Sequence, residues 1–101
     1  WNRNVLPQIH KMIRELFLSM FEAYPMSSNP LSRAVYGVDV MFSLSDNVVT
    51  PKLTEVTFCP SNNAVCDAYE RNDQLFRSLN ADIFECLFLN KVCDDRITRL
   101  L

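Results

Sequence analysis

The sequence predicts an α+β fold in which an antiparallel β-hairpin is flanked by helices. Apolar residues recur every three or four positions over residues 5–24, which is typical of a helix with one buried face. The pattern then alternates with a period of two over residues 34–43 and again over 52–58, as in strands. A helical pattern returns over about 64–93, and this element order favours two strands that pair antiparallel.

The first helix carries a wide apolar stripe. The stripe consists of Ile9, Met12, Ile13, Leu16, Phe17, Met20, Phe21 and Tyr24. Asn4 can cap the start of this helix, Pro7 is tolerated in a first turn, and Pro25 should end it. A stripe of this width predicts packing on a core, and a groove for a partner helix is the alternative.

Turn-forming residues divide the rest of the chain. Residues 45–47 (Ser-Asp-Asn) supply the turn of a hairpin over 34–58. We expect Pro51 at the beginning of the second strand, where its missing N–H is tolerable. Two helices are expected after the hairpin, over about 64–79 and 80–93, with Asn80 as the cap of the second.

Composition excludes several classes of function. The 101 residues suffice for a single domain, and because the sequence begins with Trp1 we expect it to be a piece of a longer protein. A net charge of −2 argues against broad capture of nucleic acid, and no apolar run approaches the ~20 residues of a membrane helix. Gly37 is the only glycine, so no glycine-rich phosphate loop can form.

Histidine and cysteine usage narrows the chemistry further. The single histidine, His10, removes most hydrolytic mechanisms, and it is expected to be a packed or surface residue. The cysteines show no CxxC spacing, which gives little support to a zinc site and favours reduced thiols. They are Cys59, Cys66, Cys86 and Cys93.

The strongest chemical signal is a pair of carboxylates on the hairpin. If the chain folds back about Asn47, residues equally distant from it pair, so that Asp39 faces Glu55. Opposed residues point to the same face with Cβ atoms about 4.5–5.5 Å apart, so two carboxylates repel unless a cation lies between them. Mg²⁺ prefers hard oxygen ligands, and Thr57 adds a third oxygen to that face.

Two interpretations of this pair stay open. Val35, Met41 and Leu53 are expected to share the face of the carboxylates and to cover it, which favours a counter-charge. Alternatively, a half-buried hairpin shows carboxylates to solvent on its polar face without any metal. A bulge around Pro51 would also shift the pairing by one residue.

Each strand carries a short motif. The first reads Tyr36-Gly37-Val38-Asp39, and the second reads Leu53-Thr54-Glu55-Val56-Thr57-Phe58-Cys59-Pro60. In this order and with a helix after them, they resemble the YGxD and L-x-E-V-N-x-x-P patterns of the tubulin–tyrosine ligase-like family of ATP-grasp enzymes. The resemblance covers about residues 32–90 and implies the C-terminal part of the ligase-like domain. The residues around the motifs resemble one atypical branch of that family.

The resemblance implies ATP and Mg²⁺ as cofactors and gives roles to four residues. Asp39 matches an aspartate that binds Mg²⁺, and Glu55 matches a glutamate that binds the metals bridging the ATP phosphates. Thr54 falls near the adenine, where the family usually has an apolar residue. Thr57 replaces an asparagine that binds metal and phosphate. Because a hydroxyl is a shorter and poorer ligand than an amide carbonyl, this departure favours weakened or lost ligase activity.

The family reaction forms an amide bond. ATP phosphorylates a carboxylate, and an amine attacks the resulting acyl phosphate. By resemblance the phosphate-binding lysines belong to lobes that precede this segment, so the segment alone should catalyse nothing. The implied partner is tubulin or another acidic-tailed protein, in the cytoplasm and at microtubules. The alternative function is a non-catalytic module that binds tubulin or another protein without nucleotide chemistry.

Overall fold

The computed structural model describes residues 1–27, 29–61, 73–92 and 95–101. Its elements, in chain order, are α1 (Leu6–Ala23), a 3-10 turn (Pro25–Ser27), β1 (Tyr36–Ser45), β2 (Val48–Phe58) and α2 (Asp73–Leu89). The two strands form one antiparallel sheet, so the predicted α+β class with an antiparallel hairpin is confirmed. Two compact units divide the chain, one formed by residues 1–59 and 100–101 and the other by residues 60–99.

A backbone turn, and not a side-chain cap, starts α1. The predicted capping role of Asn4 is wrong, because no side chain accepts a hydrogen bond at this helix end. Instead, the backbone amides of Val5 and Leu6 donate to the carbonyl of Trp1 at 3.0 and 3.1 Å. Pro7 lies in the first turn, where its missing N–H leaves no hydrogen bond unmade.

A two-residue turn joins β1 to β2. Ser45 pairs with Val48, and Asp46 and Asn47 between them have φ values of 48° and 60°. Positive φ at both positions defines a type I′ turn, whose twist matches that of the flanking strands. Both strands reach this turn, so β2 begins earlier than predicted and Pro51 lies inside it. A two-stranded sheet tolerates an internal proline because half of the amides of each strand point away from the partner.

The pairing of the two strands shifts once. The chain reverses between Asp46 and Asn47, half a residue before the predicted centre at Asn47. A bulge then follows: Val40 pairs with Leu53, whereas Asp39 pairs with Glu55. Thr54 is therefore an extra residue, and it restores the predicted pairing of the carboxylates. The bulge lies three residues beyond Pro51, around which it was expected.

The bulge separates the side chains into two chemically distinct faces. We define the apolar face by the residues Tyr36, Val38, Val40, Phe42, Leu44, Val49, Pro51, Leu53, Val56 and Phe58. The polar face carries Gly37, Asp39, Met41, Ser43, Ser45, Val48, Thr50, Lys52, Glu55 and Thr57. Strict alternation along β2 without the bulge would have placed Glu55 on the apolar face and Phe58 on the polar one.

Aromatic contacts hold α1 and the chain before it against the apolar face. The rings of Phe17 and Tyr36 meet edge to face at 5.5 Å, and the ring of Phe58 lies 5.6 Å from that of Tyr36. Trp1 packs edge to face on Phe42 at 5.6 Å. Offset and edge-to-face pairs of this kind stabilise a contact by about 0.5–1.5 kcal/mol beyond the area they bury.

The first unit nevertheless encloses little core. Val5 and Pro51 are the buried residues within the described part of the chain. Met26 and Leu31 are 96% and 92% exposed. Neither described helix combines the length and hydrophobicity that a bilayer crossing would require.

In the second unit, α2 runs through the position at which a new helix was expected to begin. Asn80 is not a cap, since it lies inside α2 and its side-chain amide donates to the carbonyl of Phe76 at 2.8 Å. The helix ends at Leu89, before the predicted residue 93, and Asn90 after it has a left-handed φ of 52°. Most of the helix predicted over 64–79 lies outside the described residues, as do Cys66 and Cys93.

Candidate functional site

The antiparallel ladder brings together the two carboxylates that the sequence singles out. Asp39 and Glu55 are direct partners in the pairing of β1 with β2. Directly opposed residues share one face, with Cβ atoms typically about 4.5–5.5 Å apart. The structure therefore gives the pair the arrangement predicted from the sequence, at the last position before the bulge.

The surroundings of the pair are more open than predicted. Asp39 and Glu55 are exposed, and neither carboxylate forms an ion pair within the described part of the chain. The expectation that apolar residues cover them is wrong. Leu53 lies on the apolar face, because the bulge reverses its direction relative to Glu55, and Met41 is 65% exposed. Solvent therefore screens the two negative charges, and no described basic group lies within ion-pair distance of either carboxylate.

Thr57 provides a third oxygen on the polar face. It lies two residues after Glu55, is half-buried, and pairs with Gly37 across the ladder. Because Gly37 has no side chain, the space opposite the Thr57 hydroxyl is not filled by a cross-strand neighbour. Thr57 therefore lies beside the carboxylate pair, as the sequence predicts.

Thr54 has a structural role that the sequence patterns did not predict. As the extra residue of the bulge it has no cross-strand partner, and its hydroxyl donates a hydrogen bond to the backbone carbonyl of Asp39 at 3.0 Å. The sequence does hold a signal for the bulge. Apolar residues occupy odd positions of β2 from Val49 to Leu53 and even positions from Val56 to Phe58, so the alternation changes parity at residues 54–55.

The donor set is chemically suited to a hard cation at an open site. Two carboxylates and a hydroxyl are oxygen donors of the kind that Mg²⁺ takes from a protein, with water and phosphate completing its six ligands. They do not form a closed metal cage. Over residues 1–27, 29–61, 73–92 and 95–101, no three or more His, Cys, Asp or Glu side chains converge on one point. The residues therefore fit Mg²⁺ only together with a ligand that brings further oxygens.

Comparison with known proteins places the sequence in a family. The sequence model of the tubulin-tyrosine ligase family matches residues 2–96, and the chain belongs to this family. The resemblance seen in the two strand motifs is therefore confirmed.

Two curated relatives show which members of the family the chain resembles. Over 74 residues, or 72% of this chain, the sequence is 32% identical to tubulin–tyrosine ligase-like protein 12 of Caenorhabditis elegans. It is 29% identical over 76 residues to the protein of the same name from Caenorhabditis briggsae. The chain spans about a tenth of the length of these relatives, since each match covers 10% of them. No solved structure is significantly similar to the chain.

Proposed function

We propose that this chain is the C-terminal part of an ATP-grasp ligase-like domain, and that its hairpin supplies Asp39 and Glu55 to a site for Mg²⁺ and ATP. The observation that carries the proposal is the direct pairing of the two carboxylates. Like charges placed opposite each other destabilise a hairpin, so a carboxylate pair in this position favours a cation between the two side chains. Membership of the family supports the choice of nucleotide.

Each side chain has a distinct part in this site. Asp39 and Glu55 bind the metal, and Glu55 and Thr57 lie toward the phosphates. Thr54 lies beside the adenine, where it offers its methyl group because its hydroxyl is bonded to the Asp39 carbonyl. When bound, Mg²⁺ neutralises the negative charge of the ATP phosphates.

The proposal includes weakened or lost ligase activity. A hydroxyl oxygen at Thr57 lies closer to the backbone than an asparagine carbonyl would, and Gly37 opposite it provides no donor to fill the gap. The full-length protein would then bind tubulin, or another protein with an acidic tail, in the cytoplasm and at microtubules, and regulate tubulin modification. The segment of residues 1–101 alone is not expected to form amide bonds.

A second function is favoured by the exposure of the pair. Asp39 and Glu55 both face solvent, which is also how a carboxylate on the polar face of a simple hairpin behaves. On this alternative the chain belongs to a non-catalytic module that binds tubulin or another protein and uses no nucleotide.

The test is ATP binding by the full-length chain that contains these residues, measured by titration calorimetry with and without Mg²⁺. Asp39→Asn and Glu55→Gln each keep the size of the side chain and remove its charge. We expect either change to weaken Mg²⁺-dependent binding by about 10–100-fold, the usual effect of disturbing a metal site. Asp46→Asn is the matched control, because it removes the same charge from the turn and asparagine tolerates the φ of 48° there.

The outcomes separate the two functions. Loss of affinity in the two site variants but not in Asp46→Asn supports the nucleotide site. Equal affinity in native chain and site variants contradicts the assignment of Asp39 and Glu55. Absence of Mg²⁺-dependent ATP binding in the native chain, with tubulin binding intact, supports the binding module.

A further inference from the structure

A β2 strand that was one residue shorter would pair the two carboxylates without a bulge. If residue 54 were absent, Glu55 would follow Leu53 directly, and a regular ladder starting from Ser45 and Val48 would still place Glu55 opposite Asp39. The hydrophobic pattern would also be kept, because both faces would retain their residues. The register alone therefore does not account for the extra residue, although in this chain the bulge sets it.

The position of the bulge indicates what it does. It is the single shift in the ladder, and it lies immediately beside the carboxylate pair, between Asp39 and Val40 on one strand. A bulge bends its strand, increases the local twist and changes the direction of the neighbouring side chains, which is why bulges are frequent next to active sites. Here the side chain that follows the extra residue is that of Glu55, which the bulge places on the same face as Asp39.

One hydrogen bond fixes this irregular backbone. The Thr54 hydroxyl donates to the Asp39 carbonyl at 3.0 Å, so the residue before Glu55 on β2 is tied directly to Asp39 on β1. Without this bond, the repulsion between the two exposed carboxylates would favour separation of the strands at the bulge. The bond restrains the backbone of both acidic residues while leaving their carboxylates unengaged.

We propose that Thr54 is a positioning residue that acts through the Asp39 backbone and holds the two carboxylates in the geometry that binds the metal. This inference rests on the proposed function, since it concerns the same Mg²⁺ and ATP site. It gives the Thr54 hydroxyl a role separate from any contact between this residue and the adenine. Valine distinguishes the two roles, because it keeps the branched shape and the apolar contact but cannot donate a hydrogen bond.

The test compares three variants of the full-length chain. Thr54→Val removes the donor, Thr54→Ser retains it, and Thr50→Val removes the hydroxyl of another threonine on the polar face of β2 as the matched control. Mn²⁺ binding in the presence of ATP is measured by electron paramagnetic resonance, and amide hydrogen exchange is measured over the hairpin. We expect Thr54→Val to weaken Mn²⁺ binding by about fivefold, the equivalent of one net hydrogen bond. Thr54→Ser should weaken it less than Thr54→Val, because serine keeps the donor and loses only the methyl group beside the adenine. Thr50→Val should change it by less than about twofold.

Hydrogen exchange supplies a second readout. Thr54→Val should accelerate exchange at the amides of Val40 and Glu55, and Thr54→Ser should not. Equal or tighter Mn²⁺ binding in Thr54→Val would overturn the proposal, because it would show that only the apolar contact matters. If the native chain itself fails to bind Mn²⁺ with ATP, the proposed function is refuted. In that case hydrogen exchange alone tests whether Thr54 positions the two carboxylates. Exchange rates in Thr54→Val that equal those of the native chain would overturn the positioning role too.

Discussion

Asp39 lies directly opposite Glu55 in the hairpin, and the hydroxyl of Thr54 reaches across the same point of the ladder to the Asp39 carbonyl. The structure thus combines a repulsive pair of side chains with a hydrogen bond that holds their backbones together. Removal of one of the two charges should therefore change the stability of the hairpin in opposite directions with and without a bound cation.

Without divalent cations, Asp39→Asn should make the hairpin more stable. Removing one of two like charges that face each other should raise the local free energy of unfolding by about 0.2–1 kcal/mol. On the proposed function, the sign should reverse with Mg²⁺ and ATP present, because the native pair would gain a binding free energy that the variant loses. Amide hydrogen exchange over β1 and β2 of the full-length chain, with and without a chelator, measures both states.

The control for this comparison is Asp46→Asn, which removes a charge from the turn, away from the pair. It should leave hairpin exchange unchanged with and without Mg²⁺ and ATP. If Asp39→Asn destabilised the hairpin in the chelator, the carboxylate would have an attractive partner, and the repulsion argument would be wrong.

Thr57→Asn tests whether the threonine at this position weakens the binding of Mg²⁺ and ATP. The asparagine carbonyl reaches further from β2 than the Thr57 hydroxyl and meets no side chain at Gly37 opposite, so it can complete the oxygen set of Asp39 and Glu55. We expect Mg²⁺-dependent ATP affinity of the full-length chain to rise about tenfold, as for one added bond to a charged group. Thr50→Asn, on the same face opposite Ser43, is the matched control and should change nothing.

Turnover of ATP decides what the change at Thr57 means. ATP turnover in Thr57→Asn but not in the native chain would identify a ligase weakened at this position. If neither form turned over ATP while both bound tubulin, the binding module would be the better description.

The sequence predicted the hairpin and its carboxylate pair because both depend on local patterns. Alternation defines the strands, and Asp46 and Asn47 define the turn. The prediction of the Asp39–Glu55 pair succeeded through two errors that cancel: the reversal was placed half a residue late, and the bulge at Thr54 was not placed. The change of parity along β2 indicates where the bulge lies. It can be recognised only when the apolar residues of both strands are assigned to one common face.

The helix ends could not be predicted from residue type, because several nearby groups compete for the same backbone hydrogen bonds. Asn4 and Asn80 are both suitable caps by residue type. At Asn4 the Trp1 carbonyl accepts the amide hydrogen bonds that hold the turn before α1, and at Asn80 the chain continues as helix and the side chain bonds to Phe76. The exposure of Met41 beside the pair depends on which residues pack against the polar face, and periodicity alone does not determine that.

Asn47→Gly should stabilise the hairpin. Asn47 has a φ of 60°, a region that glycine enters at no steric cost and in which other L-residues are strained. Asparagine followed by glycine is the preferred type I′ pair, and Asp46 before it already suits the turn. We expect the local free energy of unfolding to rise by about 0.5 kcal/mol, measured by hydrogen exchange at the amides of β1 and β2.

Alanine at the same position is the opposing control. Asn47→Ala should lower the local free energy of unfolding by about 1 kcal/mol, because alanine has a Cβ and no side chain that can hydrogen-bond locally. Stabilisation by alanine would show that the turn does not retain its left-handed backbone in solution.

A bidentate ion pair in the second unit joins α2 to the residues that follow it. Arg96 donates from Nε to Asp82 Oδ2 at 2.6 Å and from Nη2 to Asp82 Oδ1 at 2.8 Å. The Asp82 side chain is only 12% exposed, so this pair is less screened by solvent than an ordinary surface pair. The guanidinium fork matches both carboxylate oxygens, and lysine cannot reproduce this geometry.

Arg96→Lys should therefore loosen the C-terminal residues from α2 although it keeps the charge. We expect a loss of about 1 kcal/mol in local stability, seen as faster hydrogen exchange in residues 95–99 and greater sensitivity to protease there. Arg77→Lys on the exposed surface of the same helix is the matched control and should have no effect. A double-mutant cycle with Asp82→Asn isolates the pair. Strictly additive effects of the two substitutions would mean that the contact contributes nothing, and that Arg96 acts through its other interactions.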